Sequence, residues 1–344
     1  LIQNIKRILK LYKIKRFFIM FFYNSGLNHK KKFHHQLKIL QEKFHNNFFK
    51  VNDKLQNRCC LNCGAENWNF EFTNPANFEF LKCTNCYMVM INPTPSEIML
   101  NKLYNSPEMK INLSGANINK GVIAQGGPDL DYITSYINNG RLLDIGTGVG
   151  GFLLNASKKF EAEGLEINKN HADIGSKYGL KIHNVYSSDF KPSKKYDIVT
   201  MLQVIEHLFN PINVIKDARG FIKNGGYLYV ACPNYVSKSM KIFKEKHNHV
   251  SSFGHINMYS PNTLTSQIEQ CGFKLIGIET YDTDIELHDL FYYYFRNKKF
   301  RHRMANYNPF VWQLSKSLSF AFKAVYDSKL KKDEGSYIRA IFKK

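Results

Sequence analysis

No stretch near the start of this sequence is long and apolar enough to cross a bilayer. The opening IKRILKLYKIKRFFIMFF is cationic and apolar at once, and its longest uncharged run is Phe17 to His29, far below the ~20 apolar residues a span needs. Because the sequence begins at Leu1, no signal peptide is read from it. Internal repeats and low-complexity tracts are lacking as well, which excludes a repeat architecture. Cysteine is scarce outside one window: of seven, only Cys232 and Cys271 lie away from the group Cys59, Cys60, Cys63, Cys83 and Cys86. That crowding excludes a disulfide framework and points to metal binding in a reducing, cytoplasmic compartment. Acidic residues are also few, with 28 Asp+Glu against 48 Lys+Arg in 344 residues and a formal net charge of +20.

Aromatic residues, in contrast, are plentiful. The 27 Phe and 20 Tyr can bury enough apolar surface to offset chain entropy, so the chain folds. Its length suits one large domain and a small one. The excess charge sits at the ends: residues 1–58 hold 14 Lys/Arg and 2 Asp/Glu, residues 296–344 hold 13 and 3, and the segment between them is nearly neutral. Basic ends favour contact with anionic surfaces and give no basic active-site domain.

Residues 1–57 are expected to be a basic amphipathic helical extension, with Ile5, Ile8, Leu9 and Tyr12 at helical spacing. Such a helix either packs on its own protein or lies peripherally on an anionic membrane. The tract containing His29, His34 and His35 reads as a solvated basic face.

Residues 58–95 carry Cys60-x2-Cys63, nineteen residues, then Cys83-x2-Cys86. Two such pairs place four thiolates around one tetrahedral Zn²⁺, and the intervening NFEFTNPANFEFLKC alternates like short strands, so a zinc ribbon is expected. A four-ligand ion has no open position, and its expected work is structural. Cys59 adjoins the cluster as an alternative to Cys60. Residues 96–129 read as a helix, INPTPSEIMLNKLY, and then a Gly/Asn/Ser/Pro-rich linker.

From residue 130 onward, strands and helices alternate. RLLDIG, KFEAEGLEI, LKIHNV, YDIVTML and GGYLYVAC read as strands with helical stretches between or after them, implying an α/β fold with a parallel sheet covered on both faces. Ligands then bind at the carboxyl ends of the strands. LLDIGTGVGGF at 142–152 ends a strand at Asp144 and opens a helix, and Gly146, Gly148 and Gly150 keep side chains away from a nucleotide-like cofactor. Gly146, Gly148 and Gly151 also satisfy the G-x-G-x-x-G dinucleotide pattern. Glu166, at the end of the second strand, is placed to accept both ribose hydroxyls. NAD and S-adenosylmethionine sites share these features.

YDIVTMLQVIEHLFNPINVIKDARGFIKNGGYLYVACPN and GHINMYSPNTLTSQIEQCGFKLIGIET resemble the fourth and fifth strands and the C-terminal section of class I S-adenosylmethionine-dependent methyltransferases. The likeness is to the branch holding ubiquinone-pathway O-methyltransferases and the zinc-ribbon methyltransferases of sugar and natural-product pathways. It implies a Rossmann-like seven-stranded sheet in the order 3-2-1-4-5-7-6 with strand seven antiparallel, over residues 130–344, and a helical insert at about 286–332. It also implies that Asp144 and the glycine loop hold the methionine portion, Glu166 the ribose and Ile167 the adenine. Ser188 and Asp189 fall where the family contacts the adenine amino group. Leu202 and Gln203 line the methyl-transfer site.

Methyl transfer to a hydroxyl needs alignment, exclusion of water and a base. His207 in IEHL and His255 in GHIN are the candidate bases, while His247 and His249 lie where substrate loops often follow strand five. Related quinone and RNA 3′-end methyltransferases hold a divalent ion with Glu-x2-Glu-His on this loop. Here Gln203 stands at the first position before Glu206 and His207, with His255 as an available further ligand, and the missing carboxylate argues against a catalytic metal.

The expected activity is methylation of oxygen or carbon in a small or carrier-linked polar acceptor such as a sugar or nucleotide sugar. An RNA methyltransferase or RNA-binding protein is the first alternative, favoured by charge and ribbon. Against it, the ribbon window carries only Arg58 and Lys82, and no N-P-P-Y-type motif follows strand four. A membrane-docked protein with a degenerate methyltransferase domain is the second, opposed by the intact glycine loop and Glu166.

Overall fold

The computed structural model describes residues 55–74, 77–104, 126–251, 254–282 and 333–344. The expected N-terminal helix up to residue 54, the linker over 105–125, the three N-terminal histidines and the insert about 286–332 lie outside the described residues. Among those described, no helix is long and apolar enough to cross a membrane.

Apolar strands buried on both faces build the main sheet. Its members are β4 (Arg141–Ile145), β5 (Glu161–Leu165), β6 (Lys181–His183), β7 (Tyr196–Leu202), β8 (Ile222–Pro233), β10 (Lys274–Tyr281) and β11 (Tyr337–Lys343). They stand in the order β10-β11-β8-β7-β4-β5-β6. β4 pairs in parallel with β5 and β7, β5 with β6 and β7 with β8, whereas β11 runs antiparallel to both β8 and β10. The sheet is mainly parallel, and its carboxyl edge gathers the loops after β4, β5, β7 and β8.

Alternation assigns each strand residue to a face. Leu143, Ile145, Val199 and Met201 pack with Ile215, Ala218 and Phe221 of α5 (Pro211–Phe221) and Leu264 and Ile268 of α8 (Pro261–Glu269). Leu142 and Ile198 point the other way, toward Leu130 and Ile133 of α2 (Gly127–Thr134) and Phe152 and Leu153 of α3 (Gly151–Ala156). Helix starts follow capping chemistry. Asn168 accepts from the backbone of Asn170 and His171 at α4 (Lys169–Lys177), and Ser260 and Thr263 form a capping box at α8.

The cysteine-rich segment makes a second sheet. β1 (Trp68–Thr73), β2 (Glu79–Cys83) and β3 (Val89–Ile91) are antiparallel, and β9 (Asn257–Met258) joins as a fourth strand against β3. The fourth strand comes from the far side of the chain, beyond β8. After β3 the chain enters α1 (Glu97–Tyr104), whose Met99 and Leu100 are buried.

Candidate active site

The glycine loop after β4 turns on left-handed backbone. Gly146 has φ +73° and Gly148 φ +58°; a Cβ on Gly146 would come within 2.6 Å of Val204 Cγ2, and one on Gly148 would meet nothing within 4 Å among the described residues. Gly148 therefore leaves open space beside the loop where a ligand can approach the backbone. Gly150, also at positive φ, precedes α3.

Asp144 lies on β4 directly across from Thr200 on β7, whose Oγ1 donates to Asp144 Oδ1 at 2.7 Å. Burial raises its pKa to about 7. Glu166 accepts from the backbone N–H of Gly148 at 2.8 Å and of Asn168 at 2.7 Å, so its carboxylate bridges the glycine loop and the start of α4. Asn184 donates to the carbonyls of Glu166 and Ile167, fixing the turn between them and β6. Ser188 and Asp189 are exposed and bonded to each other. Leu202 is half-buried at the end of β7, and Gln203 is exposed at φ +56°.

Beyond Gln203 a short 3-10 turn, Ile205–His207, carries Glu206 inward. Glu206 is 1% exposed, and neither carboxylate oxygen has a hydrogen-bond partner among the described residues. His207 Nε2 lies 3.8 Å and His255 Nε2 3.9 Å from Glu206 Oε1. His207 Nδ1 lies 2.9 Å from the Gly254 carbonyl. A carbonyl only accepts, so Nδ1 carries the proton and Nε2 keeps a lone pair facing the cluster. Tyr104 Oη lies 2.9 Å from the same Nδ1 and donates to Gly254 O, and Asn168 Nδ2 donates to the Tyr104 carbonyl at 2.7 Å. Sequence reasoning missed Tyr104 and Asn168 because they meet His207 and Glu166 only through the fold. A Cβ on Gly254 would come within 2.6 Å of Tyr104 Oη and 2.7 Å of His207 Nδ1.

Glu206, His207 and His255 offer three ligand atoms within 4.8 Å of one another. The unpartnered Glu206 oxygens and the Nε2 lone pair fit a divalent ion of the type that takes imidazole and carboxylate. His255 thus brings the ligands to three although Gln203 supplies no carboxylate. His247 and His249 continue the row: their rings lie 4.5 Å apart, and His249 is 6.1 Å from His255.

These buried groups set a pH profile. Burial raises Glu206 to about 8 and lowers His207 and His247 to about 4 and His249 to about 3. The contribution of the raised carboxyls, Asp144 and Glu206, is present at low pH and lost as pH rises through 7 to 8. The contribution of the imidazoles is present above their ordinary 6.5 and lost as pH falls toward 4. Thermal unfolding of the protein without added divalent ion should therefore show a maximum between about pH 6 and 7. Glu206→Gln should flatten the alkaline limb; a profile unchanged by that substitution would contradict the assignment.

The four cysteines converge as their spacing implied. Cys60, Cys63, Cys83 and Cys86 place their sulfurs within 4.8 Å of one another, with Cys60 Sγ 3.4 Å from Cys86 Sγ and Cys63 Sγ 3.6 Å from Cys83 Sγ. A tetrahedral Zn²⁺ with Zn–S of about 2.3 Å needs sulfurs roughly 3.8 Å apart, so the group fits that ion.

The family described as "Methyltransferase domain" matches residues 130–278. Residues 130–278 are a methyltransferase domain. It is of the S-adenosylmethionine-dependent class, with the glycine loop and Glu166 inside the matched span. An uncharacterised protein of Methanocaldococcus jannaschii is 28% identical over 151 residues, 43% of this chain and 71% of its own. A ubiquinone biosynthesis O-methyltransferase of Vibrio vulnificus is 28% identical over 123 residues, 32% of this chain and 52% of its own. The chain thus spans about half the length of that methyltransferase. A SAM-dependent methyltransferase of Thermotoga maritima superposes with a TM-score of 0.48 at 15% identity, over 71% of this chain and 99% of its own.

Proposed function

We propose that the chain transfers a methyl group from S-adenosylmethionine to an oxygen or carbon of a small or carrier-linked polar acceptor, a sugar or related metabolite. The observation that carries this reading is the methyltransferase domain's own geometry. A glycine loop open beside Gly148 and the buried Glu166 lie at the carboxyl edge, where Glu206 and His207 follow β7 and His255, beyond β8, joins them.

Glu166 would exchange its backbone donors for the ribose hydroxyls, with Ile167 against the adenine and Ser188 and Asp189 near its amino group. Asp144, across from Thr200, would hold the methionine ammonium directly or through water. Bound there, S-adenosylmethionine supplies a methyl on a sulfonium whose charge disappears on transfer. Leu202 and Gln203 would flank the acceptor. A hydroxyl acceptor would give its proton to the Nε2 lone pair of His207, or to the unprotonated ring nitrogen of His255, as it takes the methyl group.

The unpartnered oxygens of Glu206 favour a second reading of the same cluster. A divalent ion held by Glu206, His207 and His255 would lower the pKa of the acceptor hydroxyl. Titration of zinc-loaded protein with Mn²⁺ separates the two: a saturable site lost in Glu206→Gln supports the ion, and no binding leaves the imidazoles as bases. The Cys60–Cys63–Cys83–Cys86 group would hold a structural Zn²⁺ in either case.

Cofactor binding tests the reading as a whole. Glu166→Ala should weaken S-adenosylhomocysteine binding by about tenfold or more, the worth of two charge-assisted hydrogen bonds.

A further inference from the structure

The cysteine-rich sheet is tied to the catalytic cluster by a short chain of bonds that passes through one residue. Ile91 at the end of β3 donates its N–H to the carbonyl of Ile256 at 2.9 Å, and Ile256 donates its own N–H to the carbonyl of Glu206 at 3.0 Å. Ile256 is fully buried and directly follows His255. β9 then pairs with β3, Val89 opposite Met258 and Met90 opposite Asn257. The Asn257 side chain turns back to donate to Leu208 O at 2.8 Å.

Two further ties run in parallel. Arg58, two residues before the first ligand cysteine, donates to Phe209 O at 2.7 Å and lies over the Phe209 ring at 4.8 Å. The Cys60 to Cys63 knuckle is held from below by α8, where Gln267 Nε2 donates to Leu61 O at 3.0 Å and Gln270 Nε2 to Asn62 O at 2.9 Å. Cys60, Cys83 and Met88 share one apolar core with Ile205 and Tyr259.

The ties through Ile256, Asn257 and Arg58 end beside an acceptor-side group: residues 205–209 carry Glu206 and His207, and residues 254–258 carry His255. The cofactor-side groups depend on other bonds, those of Glu166 to Gly148 and Asn168 and of Asp144 to Thr200. β3 is three residues long and buried with Phe80, Ile256 and Met258, and an ion closing the cysteine group beside it would add the constraint that a small metal module draws from its ion.

We infer that the cysteine-rich sheet is the positioning element of the acceptor site: ion occupancy at Cys60, Cys63, Cys83 and Cys86 fixes Ile256 and Asn257, and through them Glu206 and His255. Emptying the cysteine site releases the acceptor-side cluster and leaves the cofactor loop in place. Ile256 and Asn257 are positioning residues, since they act through their neighbours. The inference rests on the proposed methyltransferase reading for its meaning, and on the bonds above for its mechanics.

Hydrogen exchange read by mass spectrometry on the full chain, zinc-loaded and after chelation, tests it, with S-adenosylhomocysteine titrated into both. The expected result is exchange about tenfold faster or more over 204–209 and 254–259 as well as over 58–91, reversed by adding zinc back. Exchange over 142–152 and the ligand affinity should change by less than about threefold. Faster exchange confined to 58–91 would overturn the inference. Should chelation unfold the whole chain, Asn257→Ala decides with zinc still bound. Exchange over 204–209 must rise by about fivefold at unchanged zinc content and ligand affinity, and unchanged exchange there overturns the coupling. Failure of the zinc-loaded protein to bind S-adenosylhomocysteine would count against the proposed function, while the exchange pattern still decides the coupling.

Discussion

Replacing His255 or His207 by Ala is expected to lower kcat by about 10²- to 10⁴-fold, the range a positioned acid–base group contributes, while S-adenosylhomocysteine affinity stays within about threefold. Both Nε2 atoms lie within 4 Å of Glu206 Oε1, and the Nδ1 proton of His207 is committed to Gly254 O. Groups that act as a unit lose their effects non-additively, so the double substitution should be no worse than the more damaging single one by more than a few fold. The assay is methyl transfer to an acceptor drawn from a screen of sugars and nucleotide sugars. Full kcat in both single variants would remove the cluster from the chemistry.

The second large effect is on stability. Cys83→Ser should abolish stoichiometric zinc binding and open residues 58–91 to proteolysis, because a small metal module draws on the order of 10 kcal/mol of folding free energy from its ion. Cys83 is fully buried and shares a core with Met88 and Tyr259, so the loss reaches the larger sheet's helical face. A drop of roughly 10 °C in Tm is expected where about 3–5 kcal/mol of that loss reaches the larger sheet, since each kcal/mol moves Tm by about 2–4 °C in a domain of this size. A variant of unchanged Tm that still holds one zinc would contradict the four-cysteine assignment.

What was legible in the sequence was local. The two Cys-x2-Cys pairs announced a four-sulfur group because a knuckle is set by spacing within four residues, and Cys60 and not Cys59 joins it. The mainly parallel sheet was legible because apolar runs such as LLDI and DIVTML, each followed by a helical period, have one common solution. The glycine loop showed itself through residues that tolerate positive φ.

The rest depended on pairings between distant residues. Nothing in INMYS announces that Asn257 and Met258 complete a sheet begun at Trp68, because a two-residue strand has no periodicity to read. Tyr104 sits on the apolar helix α1 and is brought to His207 across more than a hundred residues. Its hydroxyl gives no sequence signal of that role. Asp144 was legible as a loop carboxylate, but its bond to Thr200 follows from strand register alone. The sequence also presented Gln203 as a gap in a metal-binding pattern and His255 as a further ligand; what it left open was the distance, and the fold turns Gln203 outward and brings His255 Nε2 to 3.9 Å from Glu206 Oε1.

The most direct test of the central claim is calorimetric titration of the zinc-loaded full chain with S-adenosylmethionine and S-adenosylhomocysteine, with NAD as control and Glu166→Ala alongside. Saturable one-to-one binding of the first two, none of NAD, and a loss of about tenfold or more in the variant is the predicted result. No binding of either by demonstrably folded protein, or equal binding by Glu166→Ala, would contradict the account.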